Sequence, residues 1–203
     1  MSGVIIGKQI WAEKNLSVTS FRNGDEIRKV ESNEEWKKCD QEGVPAYCIY
    51  ANEDLEQEFG CLYNQHAVND ARGLAPEGTR IPEKDDWNQL FEEIDPGQWG
   101  VEPIQKHLKS KEGWDQGGNG LDTHNLNIKA GGFRSWDGGF FDKNYDENDD
   151  LVDFTRIGQI TYFWSKTLDG SSNWTFHFRH DQEKEVGKAR MDGGFYVRTL
   201  LEE

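Results

Sequence analysis

The chain is short of basic residues, of cysteine and of long apolar runs, and each shortage excludes something. Lys and Arg number 23 against 38 Asp and Glu, a formal charge of −15 over 203 residues. Binding to nucleic-acid phosphates draws its affinity from clustered cations, and here no run of Lys or Arg is longer than a pair. Attachment to an anionic membrane surface is disfavoured for the same reason. No apolar stretch approaches the ~20 residues needed to span a bilayer. The opening Met1-Ser2-Gly3-Val4-Ile5-Ile6-Gly7-Lys8 lacks a basic leader followed by an apolar run, so no signal peptide is expected. The chain is then either cytoplasmic or trimmed of a leader. Cys39, Cys48 and Cys61 are an odd set, too few for a disulfide scaffold. They read as three buried thiols or as one short-loop bridge with a thiol left over.

Catalytic signatures are missing as well. There is no Gly-x-Ser-x-Gly elbow and no His-Glu-x-x-His pair. The stretch from Gly3 to Lys8 echoes a phosphate loop, but it places three residues between its glycines instead of four and is followed by Gln9 rather than Ser or Thr.

Hydrophobic residues make up only 34% of the chain, which alone would suggest disorder. Eight Trp, eleven Phe and six Tyr argue otherwise, because disordered chains are depleted in aromatics. Each ring buries ~150–250 Å², so a few can build the core that aliphatics usually supply. With 22 Gly and no linker or composition break, the expectation is one acidic, aromatic-cored domain, 1–203, rich in turns.

Local patterns place its elements. Val4-Ile5-Ile6 and Gln9-Ile10-Trp11 flank Gly7-Lys8, a two-residue hairpin turn with Gly first. Ser32 with Glu35 three residues on predicts a capped helix over 34–38. Residues 46–50 read as a strand, and 59–68 stay ambiguous. Over 84–94, Trp87, Leu90, Phe91 and Ile94 form one apolar stripe, and a shorter helix is expected over 103–109. Beyond Gly113 no helix is expected. Strands follow over 159–165, 173–180 and 194–200; in Trp174-Thr175-Phe176-His177-Phe178-Arg179 apolar and polar residues alternate strictly. The fold class is α+β, with two early helices, long irregular loops and a late antiparallel sheet.

Ile6-Gly7-Lys8-Gln9-Ile10-Trp11-Ala12-Glu13-Lys14-Asn15-Leu16 and Phe21-Arg22-Asn23-Gly24-Asp25 open a series of motifs. It continues through Ala46-Tyr47-Cys48, Gly60-Cys61-Leu62-Tyr63-Asn64 and Asn69-Asp70-Ala71-Arg72-Gly73-Leu74-Ala75-Pro76-Glu77-Gly78. Ile81-Pro82 with Asp86-Trp87, Gly131-Gly132-Phe133-Arg134, Tyr162-Phe163-Trp164-Ser165 and Gly194-Phe195-Tyr196-Val197-Arg198 complete it. In this order the series resembles the Fibrobacter succinogenes major paralogous domain family, and the run 69–78 is its most specific part. The resemblance implies a C-type-lectin-like fold related to the formylglycine-generating-enzyme domain, in mostly surface or secreted bacterial proteins that bind something. Two departures stand out. Relatives often carry a Cys near the C-terminus where this chain has Thr199, so an implied bridge from Cys48 is absent; the secretion signal is absent too. Formylglycine-generating chemistry uses a late reactive Cys pair, whereas all thiols here precede Leu62.

Three groups of residues are candidates for function. Asp142, Asn144, Asp146, Asn148, Asp150 and Asp153 sit at positions 1, 3, 5, 7, 9 and 12 of an EF-hand spacing, so their oxygens could wrap one Ca²⁺. Glu147 stands where the loop needs Gly, and the other reading is a solvated acidic loop. Among the loop aromatics Trp99, Trp114 and Trp136, an exposed ring would offer a stacking platform; the remaining Trp residues read as core. By resemblance to C-type-lectin-like binders, contact falls on the late strands and the loop before the last one. That points to Thr175, His177 and Arg179 on the polar side of their strand, with Lys188, Arg190 and Met191. These cations either receive an acidic or polar ligand or neutralise nearby carboxylates. His177 and His180 lie three apart on a strand, on opposite faces, and cannot chelate together.

The function expected is a non-enzymatic recognition or adhesion module for a protein or glycan, possible also as a subunit of a larger particle or fibre. The alternative, resting on fold analogy, is a metal-assisted oxidase or hydrolase. Ca²⁺ is the one cofactor expected.

Overall fold

A computed structural model of the chain describes residues 3–50, 55–94, 104–136, 157–181 and 193–202. Strands β1 (Gly3–Ile6) and β2 (Gln9–Ala12) form the expected hairpin in unbroken antiparallel register. Its turn needs Gly7: φ is +58°, and a Cβ there would lie 2.5 Å from the Glu93 carboxyl carbon. The far end of the chain returns to this hairpin. Strand β9 (Leu200–Leu201) pairs with β2 on one side and with β6 (Thr79–Arg80) on the other, all antiparallel, giving the order β1-β2-β9-β6. Two smaller pairings complete the sheets. In one, β4 (Ala46–Cys48) lies between β3 (Arg28–Lys29), its parallel partner, and β5 (Leu62–Tyr63), its antiparallel one. In the other, β7 (Ile160–Asp169) and β8 (Ser172–Arg179) make a long ribbon with an irregularity between Trp164 and Leu168.

Helix α1 (Asn33–Glu42) starts where Ser32 accepts the Glu35 N–H and ends at left-handed Gly43. It outruns the expected 34–38 because nothing before Gly43 breaks it. The ambiguous stretch resolves into α2 (Glu56–Phe59), β5 and α3 (Gln65–Asn69). Helix α4 (Lys84–Glu93) begins with a reciprocal Glu83–Asp86 capping box and buries Trp87 and Leu90 as its stripe requires. Helix α5 (Ile104–Leu108) follows, and the one helical segment beyond residue 113 among the described residues is a 3₁₀ turn at Asp115–Gly117. The strand expected over 194–200 is largely replaced by single bridges: Gly194 to Arg134, Phe195 to Tyr63 and Tyr196 to Phe163. Each residue pairs with a different neighbour because this segment crosses between sheets rather than running along one.

The architecture is mixed α+β, with several small sheets held by aromatic packing. Trp87 lies 4.7 Å from the Trp11 ring centre, 5.1 Å from Phe176 and 5.4 Å from Phe163. A second cluster centres on Trp164, 4.5 Å from Phe195, with its indole N–H donating to the Tyr63 carbonyl at 2.7 Å. Rings take the place of aliphatic layers here, each worth ~1.5–3 kcal/mol when fully buried.

Of the two readings of the cysteines, the structure shows the first: all three are free and buried. The register pairs Cys48 with Leu62 and Tyr47 with Tyr63, so alternation puts Cys61 on the face opposite Cys48. A bridge between those two would have to pass through the sheet. Burial pushes the Cys48 thiol up to about 11 and that of Cys61 to about 12, which makes both poor nucleophiles at neutral pH.

Candidate functional site

The late-strand residues share a face, but that face is covered. Phe176 and Phe178 point into the cluster around Trp87, and the opposite side of β8, carrying Thr175 and His177, is buried too. His177 packs 5.1 Å from Tyr162, and Phe133 and Phe195 close over Tyr162 at 4.9 and 5.0 Å. Strict alternation describes a half-open strand; here a loop from elsewhere in the chain lies across the open half. Arg179 stays partly exposed, and its guanidinium pairs with Asp181 at 3.0 Å. Lys188, Arg190 and Met191 lie outside the described residues.

The loop tryptophans divide. Trp136 is 40% exposed. Trp114 is core: its indole N–H is shared between Ser110 Oγ and the Ile128 carbonyl, and Lys109 Nζ sits 4.5 Å over its ring. Trp99 lies outside the described residues, as do Asp142, Asn144, Asp146, Asn148, Asp150 and Asp153. Among the described residues no three His, Cys, Asp or Glu side chains gather as a metal ligand set.

An open surface forms instead where β2 and β9 leave their sheet. Alternation along the β1-β2-β9 register turns Ile5, Ile10 and Leu201 to the same outer face. Ile5 is 73% exposed, and Ile10 and Leu201 are half-buried. Past Ala12 the chain becomes a loop pinned from below. Leu16 N–H donates to the Val197 carbonyl at 2.8 Å, and the Asn15 amide donates to the Phe59 carbonyl at 2.7 Å. Arg198, buried beneath the loop, donates to the carbonyls of Ala12, Glu13 and Leu126 and to Asn15 Oδ1. Burial lowers the Arg198 guanidinium to about 10, so it remains a cation at neutral pH.

This pinned loop is one wall of a groove of about 270 Å³ that Ala12, Lys14, Asn15, Val18, Pro76 and Thr199 help to line. A second hollow of about 330 Å³, lined by Phe21, Arg22, Leu74 and Glu77 among others, adjoins it, and the two share Val18 and Pro76. The far wall is fixed by Arg22, which donates to the carbonyls of Ala75 and Thr79. Arg72 braces the floor, with its guanidinium 4.1 Å from the Phe21 ring centre and ion pairs to Asp70 at 2.8 Å and Asp25 at 3.0 Å. The lining mixes apolar Val18, Pro76 and Leu74 with exposed Glu13, Lys14 and Glu77. Such a trough suits an extended ligand of mixed polarity, and together the hollows match the lower part of the ~300–1,000 Å³ range of ligand sites. Many of its residues fall in the runs 6–16, 21–25 and 69–78 that carry the family resemblance, but nothing in their composition marks a groove.

The sequence model of the Fibrobacter succinogenes major domain matches residues 4–200, and the chain belongs to that family. No curated protein and no solved structure matches it.

Proposed function

We propose that this family member is a C-type-lectin-like recognition module that binds a protein or glycan without reaction chemistry. One observation carries the reading: two hollows that meet at Val18 and Pro76. The walls are pinned by Arg198 and Arg22 through backbone carbonyls, so a ligand would meet a preformed surface and little binding energy would go into ordering it. The exposed Trp136 ring offers a second contact of the kind sugars and flat apolar groups use. In favour of the lectin-type arrangement, the described residues hold five helices before Lys109 and a late β7–β8 ribbon. Adhesion, or service as a subunit of a larger particle or fibre, would use the same surface. Ca²⁺ held by residues 142–153 belongs to this proposal and rests on their spacing.

A glycan array and a protein–protein crosslinking screen test it, with a photo-crosslinker placed at Ser17. Val18→Asp puts a charge on the wall shared by both hollows. The expected result is a ligand captured by the parent chain and lost in the variant, with the unfolding midpoint of the variant retained. Identical binding by both would remove the groove from consideration, and loss only in Trp136→Ala would move the site to that loop.

A further inference from the structure

Among the described residues, the hairpin that opens the chain leaves one edge of its sheet unfilled. The Ala12 N–H donates to the Thr199 carbonyl, so Ala12 faces β9 with its backbone groups. Its partner Gly3 is therefore in a non-hydrogen-bonded pair, and by alternation so is Ile5 opposite Ile10. Val4 and Ile6 use their backbone groups on Trp11 and Gln9, whereas the N–H and C=O of Gly3 and Ile5 point away from β2. Because β1 stands at the end of the order β1-β2-β9-β6, these groups lie on the open edge.

Natural sheets blunt such edges with charge, proline or a bulge. None of these occurs in β1: Gly3–Ile6 is uncharged in a chain that is 30% charged, and its register is unbroken. Its outward side chain, Ile5, is the most exposed large hydrophobic residue among those described. Ile5 also ends a row that runs Leu201–Ile10–Ile5 across the outer face. A strand added at the edge would hydrogen-bond to Gly3 and Ile5 and extend this row by one apolar side chain.

We propose that the β1 edge takes an extended strand from a partner protein, apolar where it meets Ile5 and neutral or basic on its flanks. Charge selects against a second copy of this chain, because two bodies of −15 repel, and the same charge favours a basic strand. The contact is distinct from the groove, and it stands or falls without it.

The probe is a synthetic peptide, acetyl-Lys-Thr-Val-Thr-Val-Thr-Lys-amide, titrated into the full chain while backbone amide exchange is followed by NMR. The Ile5 amide should exchange freely alone and become protected as peptide is added, while Val4 and Ile6, already bonded to β2, change little. Ile5→Lys, a change at a solvent-facing side chain, should weaken the peptide by about tenfold through the charge it places on the edge while keeping the unfolding midpoint. Val18→Asp should leave peptide binding unchanged, which separates this edge from the groove. No protection at Ile5, unchanged affinity in Ile5→Lys, or a peptide-free dimer with a protected Ile5 amide would each overturn the proposal.

Discussion

The Arg134 guanidinium lies 4.5 Å over the Trp36 ring while donating to the carbonyls of Val30 at 2.8 Å, Glu31 at 3.1 Å and Ser32 at 2.9 Å. One fully buried cation thus ties the loop after Gly132 to the chain entering α1. Removing it leaves the buried Val30 carbonyl without this donor, at ~1–3 kcal/mol, and frees the partly buried carbonyls of Glu31 and Ser32, of which Ser32 keeps the Trp36 N–H. Arg134→Met should therefore lower the unfolding free energy by ~2–4 kcal/mol, the lost donor to Val30 together with the lost contact on the Trp36 ring. Arg134→Lys should recover only part, since an ammonium cannot reproduce the planar fork. Urea unfolding measures both; a midpoint equal to the parent's would show that the carbonyls find other donors.

Lys109 is buried, donates to the Arg179 carbonyl at 2.9 Å, and is lowered by burial to about 8 from an ordinary 10.5. Between those values the unfolded chain binds more protons at this site than the folded one. Folding is thus opposed below about pH 8, and the opposition fades as pH rises to 10.5. Relative to Lys109→Met, the parent should gain stability across that window. The comparison matters, because other groups titrate there as well, and Lys166, also lowered by burial, pulls the same way. Parallel urea midpoints for the two proteins from neutral to alkaline pH would refute the assignment.

The thiols act with the opposite sign. Cys48 and Cys61 ordinarily titrate at 9.0 and are raised by burial, so the unfolded chain sheds these protons first. Stability should fall above about pH 9, and a Cys48→Ala, Cys61→Ala double variant should show less of that fall. A disulfide-exchange reagent should find no reactive Cys48 or Cys61 in the native protein and all three thiols in denaturant. Rapid native labelling of either would contradict their burial.

Ca²⁺, but not Mg²⁺, should raise the thermal unfolding midpoint if residues 142–153 hold the ion, and Asp146→Ala should abolish the rise. A midpoint indifferent to Ca²⁺ would leave that stretch a solvated acidic loop.

Much of the fold is legible in the order of the residues. The Gly7-Lys8 turn, the Ser32 cap and the Trp87–Leu90–Ile94 stripe are local facts, and each marks its element, although α1 runs on past the expected Lys38 to Glu42. So is the aromatic core, since rings so numerous in so polar a chain have nowhere else to be buried. The proposed site is far less legible. Alternation along β8 says that Thr175 and His177 share a face, yet both are buried, His177 against a Tyr162 that Phe133 and Phe195 cover. Nothing within β8 encodes that.

Sequence alone therefore determined which side chains share a face, where helices begin and what material fills the core, because these depend on neighbours within about one or two turns of chain. Tertiary structure decided which faces meet solvent, which sides of a sheet separate Cys48 from Cys61, and that Arg134 and Arg198 serve backbone carbonyls. Those outcomes come from contacts such as Arg198 to Asn15, separated by 183 positions. Burial and pairing at such range are set by how the elements pack, and local periodicity carries no record of it.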